Sequence, residues 1–187
     1  MKLLVFIALN MALFGQVYEN KDLIDSNGII VSKETGTPIT GIIKTYYSTG
    51  KIQAETPFKD GKGTGVQKRY YPTGILQIEV PFKDNKKEGV VQKYYDNSTL
   101  AAKITYKNNK RNGVTSIYSK TGQILFEITY KDNIEDGIRK AYQKTGELLY
   151  KVTSKDGKAL HGIIYKKDGS VHRKMTNKDF NVQHLKY

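Results

Sequence analysis

The sequence predicts an all-β fold: tandem β-hairpin repeats forming one elongated, strongly twisted or curled antiparallel sheet. Three observations carry that expectation. Glycine and tyrosine recur at a fixed spacing of 24 residues, as Gly41, Gly65, Gly89, Gly113 and Gly137 and as Tyr46, Tyr70, Tyr94, Tyr118 and Tyr142. Apolar residues alternate with a period of two, clearest in Ile52, Ala54, Thr56 and Phe58, which is a strand signal. Turn chemistry returns in step with both, through the series Gly50, Gly74, Ser98, Gly122 and Gly146 and through Phe58-Lys59, Phe82-Lys83, Tyr106-Lys107 and Tyr130-Lys131.

Taken in order, the chain starts with Lys2 and an apolar run over residues 3–14 broken by Asn10, the layout of a secretory signal peptide over residues 1–15. The run falls short of the roughly 20 apolar residues needed to cross a membrane, so no transmembrane segment is expected. Residues 16–27 are a lead-in, residues 28–175 the repeat domain, and residues 176–187 a C-terminal cap or tail. Within a unit, the loop Ser48-Thr49-Gly50 with a left-handed glycine closes a hairpin that pairs Tyr46 with Ile52. The second link, Lys59-Asp60-Gly61, has the Asp/Asn-Gly/Asn character that accepts positive φ. About thirteen strands result, advancing roughly 10 Å per unit. One face is expected to be apolar, with Tyr46, Ile52, Ala54, Val66, Tyr70, Leu76, Val90, Tyr94, Val114, Tyr118, Ile138 and Tyr142 among its members.

Composition narrows the chemistry. Lys and Arg number 31 against 18 Asp and Glu, a formal charge of +13, and Cys is absent, which excludes disulfides, thiolate metal sites and cysteine nucleophiles. His161, His172 and His184 show no metal-ligand spacing, and Gly61-Lys62-Gly63-Thr64-Gly65 lacks the spacing of a phosphate-binding loop. The sequence therefore offers no catalytic residue, no metal site and no cofactor, and a non-enzymatic role is expected.

The unit Gly65-Val66-Gln67-Lys68-Arg69-Tyr70-Tyr71-Pro72-Thr73-Gly74, closing with Phe82-Lys83-Asp84-Asn85 before Gly89, resembles the bacterial variant of MORN repeats over about residues 28–175. The resemblance implies stacked β-hairpins in an elongated sheet and a scaffold or binding role, with lipid headgroups or proteins as partners. Bacterial relatives are often labelled toxin–antitoxin antitoxins.

Two features stand out as binding candidates. Tyr47, Tyr71 and Tyr95, each the second of a Tyr-Tyr pair, are expected on the polar face beside Lys51, Arg69 and Lys93, where exposed aromatics among cations stack sugars or basic side chains. Lys59, Lys83 and Lys107 form a ladder along the turn edge that suits an anionic polymer. The expected function is an exported protein that binds a macromolecule at the cell envelope or outside the cell, secreted or periplasmic. The partner is a protein, a polysaccharide or an anionic lipid surface, with no specific nucleic acid; self-association through the apolar sheet face is a further expectation. The alternative is an antitoxin or immunity-type protein that inhibits a toxin by occupying it.

Overall fold

Two kinds of hairpin turn alternate along the chain, and their backbone angles follow from the residues placed there. The structure, a computed structural model, describes residues 16–180; the expected signal peptide and the last seven residues of the expected tail lie outside them. At one edge, Asp60 and Gly61 (φ 50° and 73°), Asp84 and Asn85 (50° and 64°) and Asn108 and Asn109 (49° and 67°) are both left-handed. This is the two-residue primed turn whose twist matches the strands it joins. At the other edge Gly50, Gly74, Gly122 and Gly146 have φ between 80° and 99°, and Ser98 takes the same region at 67°. There Gly50 N donates to the Tyr47 carbonyl and Tyr47 N to the Lys51 carbonyl, both at 2.9 Å, closing the three-residue loop.

The lead-in gives β1 (Gln16–Tyr18), a single 3-10 turn, β2 (Leu23–Ser26) and β3 (Ile29–Ser32). The repeats give β4 (Gly41–Tyr46), β5 (Ile52–Lys59), β6 (Lys62–Gly63), β7 (Gly65–Tyr70), β8 (Leu76–Lys83), β9 (Lys86–Lys87), β10 (Gly89–Tyr94) and β11 (Leu100–Lys107). They continue with β12 (Lys110–Tyr118), β13 (Ile124–Lys131), β14 (Ile134–Tyr142), β15 (Leu148–Lys155), β16 (Lys158–Tyr165) and β17 (Val171–Lys174), before the short helix α1 (Asn177–Phe180). All strands but β2 and β3 belong to one open sheet of 15 strands, ordered as in the sequence. It is mixed rather than purely antiparallel, because β1 runs parallel to β4. The strands β2 and β3 intervene between them and supply the long connection a parallel pair needs.

The hairpin β2–β3 sits against the first primed turn. Ile30 N donates to the Gly61 carbonyl at 2.8 Å, Gly61 N to the Ile39 carbonyl at 2.7 Å, and the Asn85 amide to the Gly28 carbonyl at 2.8 Å. Ile39, held between these contacts, is 1% exposed.

Register decides the faces. Tyr46 pairs with Ile52 as the loop requires, but the next pair is Thr45 with Ala54, so Gln53 is an extra residue. The same one-residue bulge follows Tyr70, Tyr94, Tyr118, Tyr142 and Tyr165 in their hairpins. A shift of one residue moves side chains to the other side of a pleated sheet. The expected apolar stripe is therefore divided. One face carries the cross-strand rows of Ile43, Val80, Val91, Thr115, Ile128 and Val152 and of Ala54 and Ala141, all buried. The opposite face carries the tyrosines of the 24-residue series, the valines Val66, Val90 and Val114 at 44–45% exposure, and a line of charges. Only eight apolar residues are buried among the described ones, so cohesion rests on the strand ladder and one thin row.

Candidate binding surfaces

The three tyrosines expected as stacking platforms turn out to join the repeats. Each lies at the start of a glycine-closed loop, and its hydroxyl donates to the backbone carbonyl of the next unit: Tyr47 to Tyr70 at 2.6 Å, Tyr71 to Tyr94 at 2.9 Å and Tyr95 to Tyr118 at 2.8 Å. All three are half-buried. Ser119 and Gln143 occupy the equivalent positions later on, and there the side-chain hydroxyl of Ser119 turns inward to its own loop, accepting from Thr121 N and Gln123 N.

The cations placed beside the tyrosines occupy different positions. Lys51 is exposed and reaches the Thr73 carbonyl of the next loop at 3.4 Å. Arg69 pairs across the strands with Ala54 and Ile78, and Lys93 with Ile78 and Ala102. Both are exposed, but they share the face of the buried row rather than the charged one. The bulge is again the reason, since it moves Ala54 and Ile78 across to them.

At the primed-turn edge, Lys59, Lys83 and Lys107 are exposed, as expected, and none forms an ion pair among the described residues. A second device there was not read from the sequence. The side-chain oxygens of Asn85, Asn109 and Asn133 accept from Gly63 N (2.6 Å), Lys87 N (2.7 Å) and Arg111 N (2.8 Å) of the preceding unit. In return their own N–H groups donate to the carbonyls of those same residues. The left-handed Asn thus serves both turn and stacking, and the signal available in the sequence was its spacing.

The model of the MORN repeat variant family matches residues 39–60, 64–84, 87–108 and 111–132. The chain belongs to the MORN repeat variant family. No curated protein matches it. In structure the MORN unit continues past the matched segments, because β14–β15 and β16–β17 repeat the same loop and the same bulge.

Two properties of this MORN sheet bear on binding. The first is that its primed-turn edge is not uniformly basic. Residues 59–62, 83–88 and 107–111 hold eight cationic side chains against three carboxylates, a net +5, whereas residues 131–136 and 155–158 hold three against four. In the second group Lys155 is tied to Asp136 at 2.8 Å. The second property is a ladder on the charged face. Glu55 binds Lys44 at 3.0 Å and accepts from the Tyr70 hydroxyl at 2.9 Å; Glu79 accepts from Tyr94 at 3.2 Å; Glu127 binds Lys140 at 3.1 Å and accepts from Tyr142 at 2.7 Å. The Lys44 ammonium beside Glu55 holds that carboxyl below the usual carboxylate range, and the Tyr142 hydroxyl does so for Glu127. Burial, then the hydrogen bond to Glu55, pushes the Tyr70 phenol up to about 12. No helix among the described residues is long and apolar enough to cross a membrane.

Proposed function

We propose that this MORN repeat variant protein is an exported, non-enzymatic binding module that holds an anionic macromolecule along the basic turn edge of residues 59–111. The observation that supports the reading is the row Lys59, Lys83 and Lys107, exposed and without ion pairs among the described residues, presented once per unit by a sheet whose units are locked together. Successive lysines stand roughly 10 Å apart, a spacing that favours an extended polyanion over a small ligand. Export rests on the charged and apolar pattern of residues 2–14, and secreted material is expected to begin near Gln16 by intact mass.

The test is capture of envelope material by the mature chain, eluted in salt steps. Lys59→Glu, Lys83→Glu and Lys107→Glu together should release the partner at lower ionic strength, because exposed charges act through a screening length of about 8 Å at physiological salt. A folded triple variant with unchanged capture and unchanged salt dependence would remove the edge from the function.

A further inference from the structure

The charged face breaks its own pattern at Lys103. The ladder carboxylates fall at Glu55, Glu79 and Glu127, and Lys103 stands at the 24-residue position between the last two. In the regular units the carboxylate accepts from a tyrosine hydroxyl and faces a lysine, as Glu127 does with Tyr142 and Lys140. In the third unit the tyrosine donor remains as Tyr118, Ser116 stands where Glu127 has Lys140, and the acceptor itself is replaced by the ammonium of Lys103. Lys103 lies between Gln92 and Ser116 in the cross-strand register, and Tyr118 stands two residues beyond Ser116 on the same face.

Among the described residues, neither the Lys103 ammonium nor the Tyr118 hydroxyl has a hydrogen-bond or ion-pair partner. The flanking ladder acids cannot serve them well. Glu79 stands two strands from Lys103, roughly 10 Å, and already accepts from Tyr94, while Glu127, two strands from Lys103 but directly opposite Ser116, already accepts from Tyr142 and binds Lys140. The result is a patch of adjacent donors, Lys103, Ser116 and Tyr118, that holds no carboxylate of its own.

We propose that Lys103, Ser116 and Tyr118 form a carboxylate-binding position that takes an acidic side chain of an extended partner peptide. The chemistry is that of a carboxylate because a tyrosine hydroxyl together with an ammonium holds one at Glu55 and at Glu127, and Tyr118 and Lys103 supply the same two donor types. A peptide is favoured over a free acid by what borders the position. Val90 and Val114, each 45% exposed, lie on the same face one step toward the primed turns and offer apolar contact to the residue beside the acid. The other break in the series, Lys151, lacks the donor set: its cross-strand partners are Lys140, which Glu127 already holds, and the apolar Ile163. The inference deepens the partner-binding reading, and its failure is separable because it is read at Lys103 and not at the lysine edge.

The experiment titrates the isotope-labelled mature chain with a peptide of alternating Glu and Val, with a Gln-Val peptide of equal length, and with phosphatidylglycerol vesicles. The Glu-Val peptide should shift the Tyr118 ring and Lys103 signals, and the Gln-Val peptide should not. Lys103→Met and Tyr118→Phe should each weaken binding, the former about tenfold or more as expected for loss of a charged hydrogen-bond donor. Lys103→Glu supplies the carboxylate from within the sheet and should abolish binding while the urea midpoint holds or rises. Lys59→Glu, Lys83→Glu and Lys107→Glu should leave the Tyr118 response in place. Equal binding by Lys103→Glu, equal binding of the Gln-Val peptide, or a Lys103-dependent response to vesicles alone would overturn the proposal.

Discussion

Replacing Tyr71 by Phe removes one oxygen atom and keeps the ring, so it isolates the hydroxyl that joins two repeats. That hydroxyl donates to the Tyr94 carbonyl at 2.9 Å from a half-buried position. A hydrogen bond of this kind contributes about 0.5–1.5 kcal/mol net, and for a chain of this length each kcal/mol moves the melting temperature by about 2–4 °C. Tyr47 and Tyr95 make the equivalent bonds at 2.6 and 2.8 Å. Sites roughly 10 Å apart with no shared partner add nearly independently, so the triple Phe variant should lose about 1.5–4.5 kcal/mol. Urea unfolding followed by far-ultraviolet circular dichroism measures it. Amide exchange should localise the loss to the loops following Tyr47, Tyr71 and Tyr95. Tyr46→Phe is the control, since Tyr46 is 47% exposed on the charged face. A triple variant that unfolds at the wild-type midpoint would refute the idea that these hydroxyls bind the units together. Replacing Tyr47, Tyr71 and Tyr95 by Ala together would be a poorer probe of partner binding, because it removes half-buried rings and destabilises the sheet on which any partner would sit.

Three further outcomes are expected. Thr115 is 6% exposed, its hydroxyl is buried without a hydrogen-bond partner among the described residues, and it lies between Ile104 and Ile128; Thr115→Val should raise stability by about 1 kcal/mol, and an unchanged or lower urea midpoint would contradict this. Gly137 has φ +127°, and an added Cβ would stand 2.9 Å from Thr129 Cβ, whereas Gly74 at φ +93° has nothing within 4 Å; Gly137→Ala should therefore lower the melting temperature more than Gly74→Ala. The ladder carboxyls Glu55 and Glu127 are held below their usual range, so their contribution is present above the unfolded value near 4.3 and lost as pH falls through the folded value. Tyr70 acts in the opposite sense: its folded value of about 12 lies above the unfolded one, and its contribution is lost as pH rises toward 12, which phenolate absorbance compared with Tyr70→Phe would show.

The number and type of elements were legible in the residues because turns are local. Asp-Gly, Asp-Asn and Asn-Asn at two-residue links and Gly or Ser at the third loop position each settle a backbone angle within four residues, and the Tyr46–Ile52 pairing follows from the loop alone. The faces were not legible. Gln53 and Gln77 look like ordinary polar strand positions, yet each is the extra residue of a bulge, and counting by twos through it assigns Tyr46, Tyr70 and Val66 to the wrong side. Nor does a sequence say which carbonyl a tyrosine meets. Tyr47, Tyr71 and Tyr95 find theirs 23 residues away, and only the stacking of one unit on the next brings them within reach. Their spacing was visible in the chain, but whether it meant a binding row or a row of bonds between repeats depended on tertiary packing. The lysine edge differs because its exposure follows from the turn itself: a tight primed turn projects its flanking side chains into water whatever the neighbouring units do.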